Sequence, residues 1–199
     1  DNVGTQFTSQ YLAGVPQGGV MRTLILLTCA LGVTSWSSGS SPIGIDRNRC
    51  IERSGDWGQT VKCPVGYVAT ELCTSGSHPD CNKAFTRLRC CGATLSPNSG
   101  ACETHEARYG IRLVCTGTKA VTSVCSSGSH ADCGNSIFNR IQCFDGLGLN
   151  MTRKCRWISA WWGRWAQCAA DEVIAGVCSS GRRPDCHGFY TNIYCCQVE

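Results

Sequence analysis

The sequence predicts an all-β protein made of three copies of one disulfide-stapled unit, and three observations carry that expectation. Cysteines recur in register: Cys50, Cys63, Cys73, Cys81 and Cys90 return as Cys102, Cys115, Cys125, Cys133 and Cys143, and again as Cys155, Cys168, Cys178, Cys186 and Cys195. A period of 52 or 53 residues held over fifteen positions is the mark of a repeated supersecondary unit. Apolar and polar residues alternate at the end of each copy, through Phe85–Cys90, Phe138–Cys143 and Tyr190–Cys195, as in a half-buried strand. Each copy is only about fifty residues, rich in turn formers and without a long 3.6-residue pattern, which suits four short strands. One such sheet cannot bury its apolar face alone, whereas three can bury theirs together.

Taken in order, the chain opens with residues 1–20, polar and upstream of Met21, read as an artefact or untranslated leader. Residues 21–36 have the layout of a secretory signal: Met21-Arg22, then an apolar run from Thr23 to Val33 too short to span a bilayer, then small residues. Residues 37–45 read as a flexible leader rich in Ser and Gly. A single domain follows over 46–199, divided into repeats 46–97, 98–149 and 150–199. Each repeat begins near an aromatic-Gly pair, Trp57-Gly58, Tyr109-Gly110 or Trp162-Gly163. Each then carries a Ser-Gly-x-x-x-Asp-Cys loop, Ser75–Cys81, Ser127–Cys133 or Ser180–Cys186, before its final strand. The middle repeat has one extra residue between Cys133 and Phe138.

Seventeen of the eighteen cysteines follow Trp36, about a tenth of that stretch, the level of a disulfide scaffold from an oxidising compartment. Zinc is disfavoured because no Cys-x2-Cys or His-x3-His pair is present, and no cofactor is implied. The formal net charge of +4 is mild, and the short Arg153-Lys154-Cys155-Arg156 cluster makes no basic stripe, so nucleic acid is an unsuitable partner. Asn150-Met151-Thr152 is a glycosylation sequon between the second and third repeats.

Threefold repetition restricts the pairing of sulfurs. Bridges Cys63–Cys90, Cys115–Cys143 and Cys168–Cys195 would tie the first and last core strands of each unit, while Cys73–Cys81, Cys125–Cys133 and Cys178–Cys186 would close local loops. Cys50, Cys102, Cys155, Cys91 and Cys196 remain, with Phe144 at the middle-repeat position that matches Cys91 and Cys196. Pairing within repeats joins Cys50 to Cys91 and Cys155 to Cys196 and leaves Cys102 over. Pairing with the following repeat joins Cys91 to Cys102 and Cys196 to Cys50 and leaves Cys155 over. Either way one cysteine is odd and open to an intermolecular bridge.

Trp161-Trp162-Gly163-Arg164-Trp165, Cys63-Pro64-Val65-Gly66-Tyr67 and Asn192-Ile193-Tyr194-Cys195-Cys196 are similar to turn, strand and double-cysteine segments of the vitelline membrane outer layer protein I family, which the chain resembles over about residues 46 to 199. The resemblance implies a β-prism, three four-stranded Greek-key sheets around a pseudo-threefold axis, in a secreted protein of an extracellular coat or mucous layer. The family's loops carry two adjacent acidic residues. Here the second is Cys81, Cys133 or Cys186, so any ligand role implied by the family passes only to Asp80, Asp132 and Asp185.

Those three aspartates are candidate sugar or cation ligands, although an Asp in a Gly-rich turn also hydrogen-bonds its own backbone. His78 and His130 have no counterpart in the third repeat, where Arg182 and Arg183 stand, so a threefold metal site is not expected. Trp157, Trp161 and Trp165 with Arg164 form the densest aromatic cluster and suit stacking on a sugar ring. Trp162, like Trp57 and Tyr109, is expected to plug one end of the fold. No catalytic residue is assigned, since Glu71 is matched by Ser123 and Gly176 and no nucleophile elbow is present. The expected function is binding of extracellular glycans or glycoproteins. The alternatives are a transferase or hydrolase acting on N-acetylglucosamine oligomers, an activity the resemblance implies, and a host-defence lectin or toxin.

Overall fold

The computed structural model describes residues 44–75, 78–93, 100–108, 110–127, 132–134, 137–145, 151–180 and 183–199, the side chain of Arg153 aside. The expectations for the signal segment, for Tyr109, His130 and Arg182, and for the Asn150 sequon lie outside these residues. No helix among the described residues is long and apolar enough to cross a membrane.

The described residues form twelve strands and no helix. In the first repeat these are β1 (Ile45–Gly55), β2 (Thr60–Lys62), β3 (Tyr67–Thr74) and β4 (Thr86–Ala93). The second supplies β5 (Cys102–Ala107), β6 (Leu113–Val114), β7 (Ala120–Ser126) and β8 (Asn139–Phe144). The third supplies β9 (Met151–Ala160), β10 (Ala166–Gln167), β11 (Glu172–Ser179) and β12 (Thr191–Val198). Ile45, expected in the leader, already belongs to β1 and packs against a buried apolar cluster.

Three antiparallel four-stranded sheets result, in the orders β1-β4-β3-β10, β2-β7-β8-β5 and β6-β11-β12-β9. Sheet and repeat are therefore not the same unit. The short second strand of every repeat leaves its own sheet: β2 pairs with β7, β6 with β11 and β10 with β3. First lends to second, second to third and third to first, so the exchange closes on itself. A bulge on each receiving strand makes the join. Thr70, Thr122 and Ala175 each fall at a shift in register, and their carbonyls accept the N–H of Cys168, Cys63 and Cys115 at 3.1, 2.8 and 2.8 Å. An extra residue of this kind unpairs the local ladder and redirects the strand.

The inner faces share one core. Leu72 and Leu88 from the first sheet, Val124 and Ile141 from the second and Ile174, Val177 and Ile193 from the third lie in a single buried cluster. Val68, Ala120 and Val173, equivalent in the three repeats, meet at one end with Phe144. The far ends of the same strands meet in a polar layer. Thr74 and Thr191 share a hydroxyl–hydroxyl hydrogen bond, Ser126 Oγ lies 2.8 Å from Ser179 Oγ, and Asn139 Nδ2 donates to Ser179 O at 2.8 Å. Each bond joins two different sheets, satisfying polar groups that burial would otherwise penalise.

Eight disulfides link the described cysteines. Cys63–Cys90, Cys115–Cys143 and Cys168–Cys195 have Cα separations of 5.6, 5.7 and 5.5 Å. The three pairs are those expected, but the strand they tie to the last one is the second of each repeat and not the first. Each anchors the end of the exchanged strand to the last strand of its own repeat, across the shared core. Cys73–Cys81, Cys125–Cys133 and Cys178–Cys186 close the acidic loops. Cys50–Cys91 and Cys155–Cys196 join residues directly opposite on paired strands. Cys155 is thus not the odd cysteine. Cys102 faces Phe144 on β8 and is left over by these eight bridges, yet no cysteine among the described residues is free. Cys102 is itself disulfide-bonded.

Candidate functional site

Asp80, Asp132 and Asp185 sit at three separate contacts between repeats. A Cβ placed on Gly163 would lie 2.8 Å from that of Asp80; Gly58 meets Asp132 at 2.5 Å and Gly110 meets Asp185 at 2.8 Å. The aromatic-Gly turn of each repeat thus presses against the acidic loop of the next, following the same cycle as the strand exchange. These glycines adopt φ of +67°, +75° and +65° at Gly58, Gly110 and Gly163, where a side chain is disfavoured. Asp80 and Asp185 also turn back locally, their N–H groups donating to His78 O and Arg183 O, both at 2.8 Å. The Asp backbone serves the packing of neighbouring repeats.

The tryptophan cluster of the third repeat disperses in space. Trp157 on β9 packs on Tyr194 at 5.0 Å and under the Arg112 guanidinium at 4.3 Å. Trp165, just before β10, belongs to another sheet and lies under Arg87 at 5.3 Å. Arg164 is exposed in the intervening turn. Trp57 and Trp162 do not plug an end of the core: Trp57 packs on Phe85 at 4.8 Å and Trp162 on Tyr190 at 4.7 Å, outside both buried clusters.

Trp161 stands apart, with 59% of its surface exposed. It leans on Phe189 at 5.3 Å and Tyr190 at 6.4 Å, and Trp162 and His78 extend the platform, 6.2 Å apart. Asp56 and Arg108 occupy the Trp161 position in the other repeats, and Ala84 and Ile137 that of Phe189. Three units that solve one packing problem do not require this pair, so packing does not account for it. Phe189 carried no sequence signal as a site residue other than this departure from the repeat, and Tyr190, matched by Phe85 and Phe138, carried none.

A second departure lines a groove of about 480 Å³. Arg47, Glu71 and Arg89 come from the first repeat, and Arg156, Gln167 and the backbone of Cys168–Ala170 from the third. They meet because β10 is exchanged onto β3, where Gln167 falls opposite Glu71. Arg47 donates through Nε to Ala170 O at 3.0 Å and through Nη2 to Glu172 O at 2.9 Å and to Ala169 O. Glu71 Oε1 receives Gln167 Nε2 at 3.2 Å and lies 3.3 Å from Arg89 Nη1. Burial raises the Glu71 carboxyl above its ordinary range, against the opposing pull of Arg89 and Arg47. Behind the lining, Glu172 accepts Arg156 at 3.1 and 3.2 Å and the Ala169 N–H at 2.9 Å. In the second repeat the positions of Glu71 and Arg89 hold Ser123 and Gln142, hydrogen-bonded at 3.1 Å. In the third they hold Gly176 and Tyr194.

Among the described residues two groups have the spacing of metal ligands, Glu103 with Cys115 and Cys143, and Glu172 with Cys168 and Cys195. Both cysteine pairs are disulfides and offer no thiolate, the form that binds metal. Comparison with protein-family models, with curated proteins and with solved structures finds no match to this chain.

Proposed function

We propose that this protein is a secreted component of an extracellular coat or mucous layer, a disulfide-locked β-prism of the vitelline membrane outer layer protein I type, and that it binds glycans or glycoproteins. The observation that carries the reading is the Trp161 platform, an exposed indole fixed by Phe189 and Tyr190 on a covalently stapled frame. An indole face offers a sugar ring a flat apolar surface, and a rigid platform gives up little conformational entropy on binding. The bridged cysteines accord with an oxidising compartment, and the three linked sheets with resistance to unfolding and proteolysis. A glycan array tests the reading: Trp161→Ala should erase binding while leaving the thermal transition in place. Binding that survives this substitution removes the platform from the site.

Turnover of N-acetylglucosamine oligomers is a second reading, favoured by the raised Glu71 carboxyl in the groove, since a glycosidase acid needs such a shift. Incubation with chitohexaose followed by mass spectrometry decides it. Products formed by the wild type and not by Glu71→Gln support catalysis; an unchanged hexamer ends it.

A further inference from the structure

We infer that the groove between the first and third repeats is a second saccharide site, selective for sugars bearing an anionic group, either a carboxylate or a sulfate ester. The inference rests on the glycan-binding reading above and adds ligand chemistry at a different place.

Three guanidinium groups line the groove, those of Arg47, Arg89 and Arg156, with the one carboxylate of Glu71. The balancing carboxylates of Glu172 and Asp171 stand behind this lining, engaged by Arg156 and by Gln197. Arg47 directs Nε and Nη2 at backbone carbonyls, and its Nη1 makes no hydrogen bond to the described residues. Arg156 spends Nε and Nη2 on Glu172, and Arg89 meets Glu71 through Nη1. Forked N–H donors in fixed positions match the oxygens of a carboxylate or sulfate. Glu71 Oε2 accepts no hydrogen bond from the described residues, its contacts with Gln167 and Arg89 both falling on Oε1, and is placed to accept a sugar hydroxyl, an arrangement that suits a charged sugar better than a bare inorganic anion. The volume of about 480 Å³ is within the range of small-molecule sites.

Packing does not demand these residues. The equivalent pair Ser123–Gln142 supports the same strand crossing in the second repeat without charge. That pair also supplies a variant that keeps the fold, Glu71→Ser with Arg89→Gln, which transplants the second repeat's own hydrogen bond.

Calorimetric titration of the intact, oxidised protein tests the site with an N-acetyllactosamine tetrasaccharide in three forms: neutral, 6-O-sulfated and terminally sialylated. The charged forms should bind roughly tenfold tighter than the neutral one, as charge-assisted hydrogen bonds require, and the sulfated and sialylated arms identify which anion is preferred. The preference should shrink with added salt. The Glu71→Ser, Arg89→Gln double variant and Arg156→Gln should abolish it, Glu71→Gln should strengthen it severalfold, and Trp161→Ala should leave it intact. Equal affinity for neutral and charged forms overturns the inference, as does weaker charged binding in Glu71→Gln. If the tetrasaccharides fail to bind while the array still shows glycans captured through Trp161, the groove is not a sugar site although the platform is. Silence in both assays overturns both readings.

Discussion

Replacing Gly58 by alanine should destabilise the protein by about 3 kcal/mol, and the same change at Gly66 by only about 1 kcal/mol. Both glycines have positive φ, +67° and +81°, so both substitutions force alanine into the left-handed region at about 1 kcal/mol. They differ in what a methyl group would meet. At Gly66 there is no atom within 4 Å, whereas at Gly58 the new Cβ falls 2.5 Å from Asp132 Cβ and 3.0 Å from Asp132 O. The acidic loop is stapled by Cys125–Cys133 and cannot simply swing away, so the excess is an overpacking strain of about 2 kcal/mol. Differential scanning calorimetry of the oxidised proteins should place Gly58→Ala roughly 6–12 °C below the wild type and Gly66→Ala roughly 2–4 °C below it. Equal losses at the two positions would refute the claim that the aromatic-Gly turn holds neighbouring repeats together by close backbone approach.

Acid should weaken the second sheet through Glu103. Burial alone would raise that carboxyl, but hydrogen bonds from Thr116 Oγ1, His105 and the Thr116 N–H, with Lys119, outweigh it and take it from 4.5 to about 2. The resulting stabilisation is complete above 4.5 and fades as pH falls towards about 2; Glu103→Gln should flatten this acid limb in urea titrations. Glu71 has the opposite sign. Burial raises its carboxyl above 4.5, so the folded state holds the proton more tightly than the unfolded chain, and stability declines as pH rises from 4.5 through the raised value. Glu71→Gln should therefore exceed the wild type in urea midpoint at neutral pH and match it well below 4.5. Removing the bridge Cys63–Cys90, which encloses a separation of 27 residues, should lower stability by about 3.5 kcal/mol, against about 2.5 kcal/mol for Cys73–Cys81 with a separation of 8. Denaturant midpoints of the paired Cys→Ala variants compare the two.

The groove shows why part of the site was legible and part was not. Glu71 carries no repeat signal in the sequence, because Ser123 and Gly176 replace it in the other repeats. That same departure from the pattern singles it out once Gln167 and Arg156 are seen beside it. The aromatic cluster misled in the other direction: Trp157, Trp161 and Trp165 are close in sequence, but β9 and β10 belong to different sheets, so adjacency along the chain did not become adjacency on a surface. Of the three, Trp161 alone joins Phe189 and Tyr190 in an exposed platform.

Sequence alone determined the strand-rich unit, its threefold repetition and six of the sulfur pairs within it, leaving the partners of Cys91 and Cys196 to the structure, because alternation, turn residues and cysteine spacing act over short distances and are written into each copy. Tertiary structure decided that β2, β6 and β10 cross to the neighbouring sheet, that Gly58 rests on Asp132, and that Arg156 and Gln167 close a groove over Arg47, Glu71 and Arg89. A strand of two or three residues carries no mark of its partner, since every backbone offers the same N–H and C=O groups. The partner is chosen only when three apolar faces close on a common core.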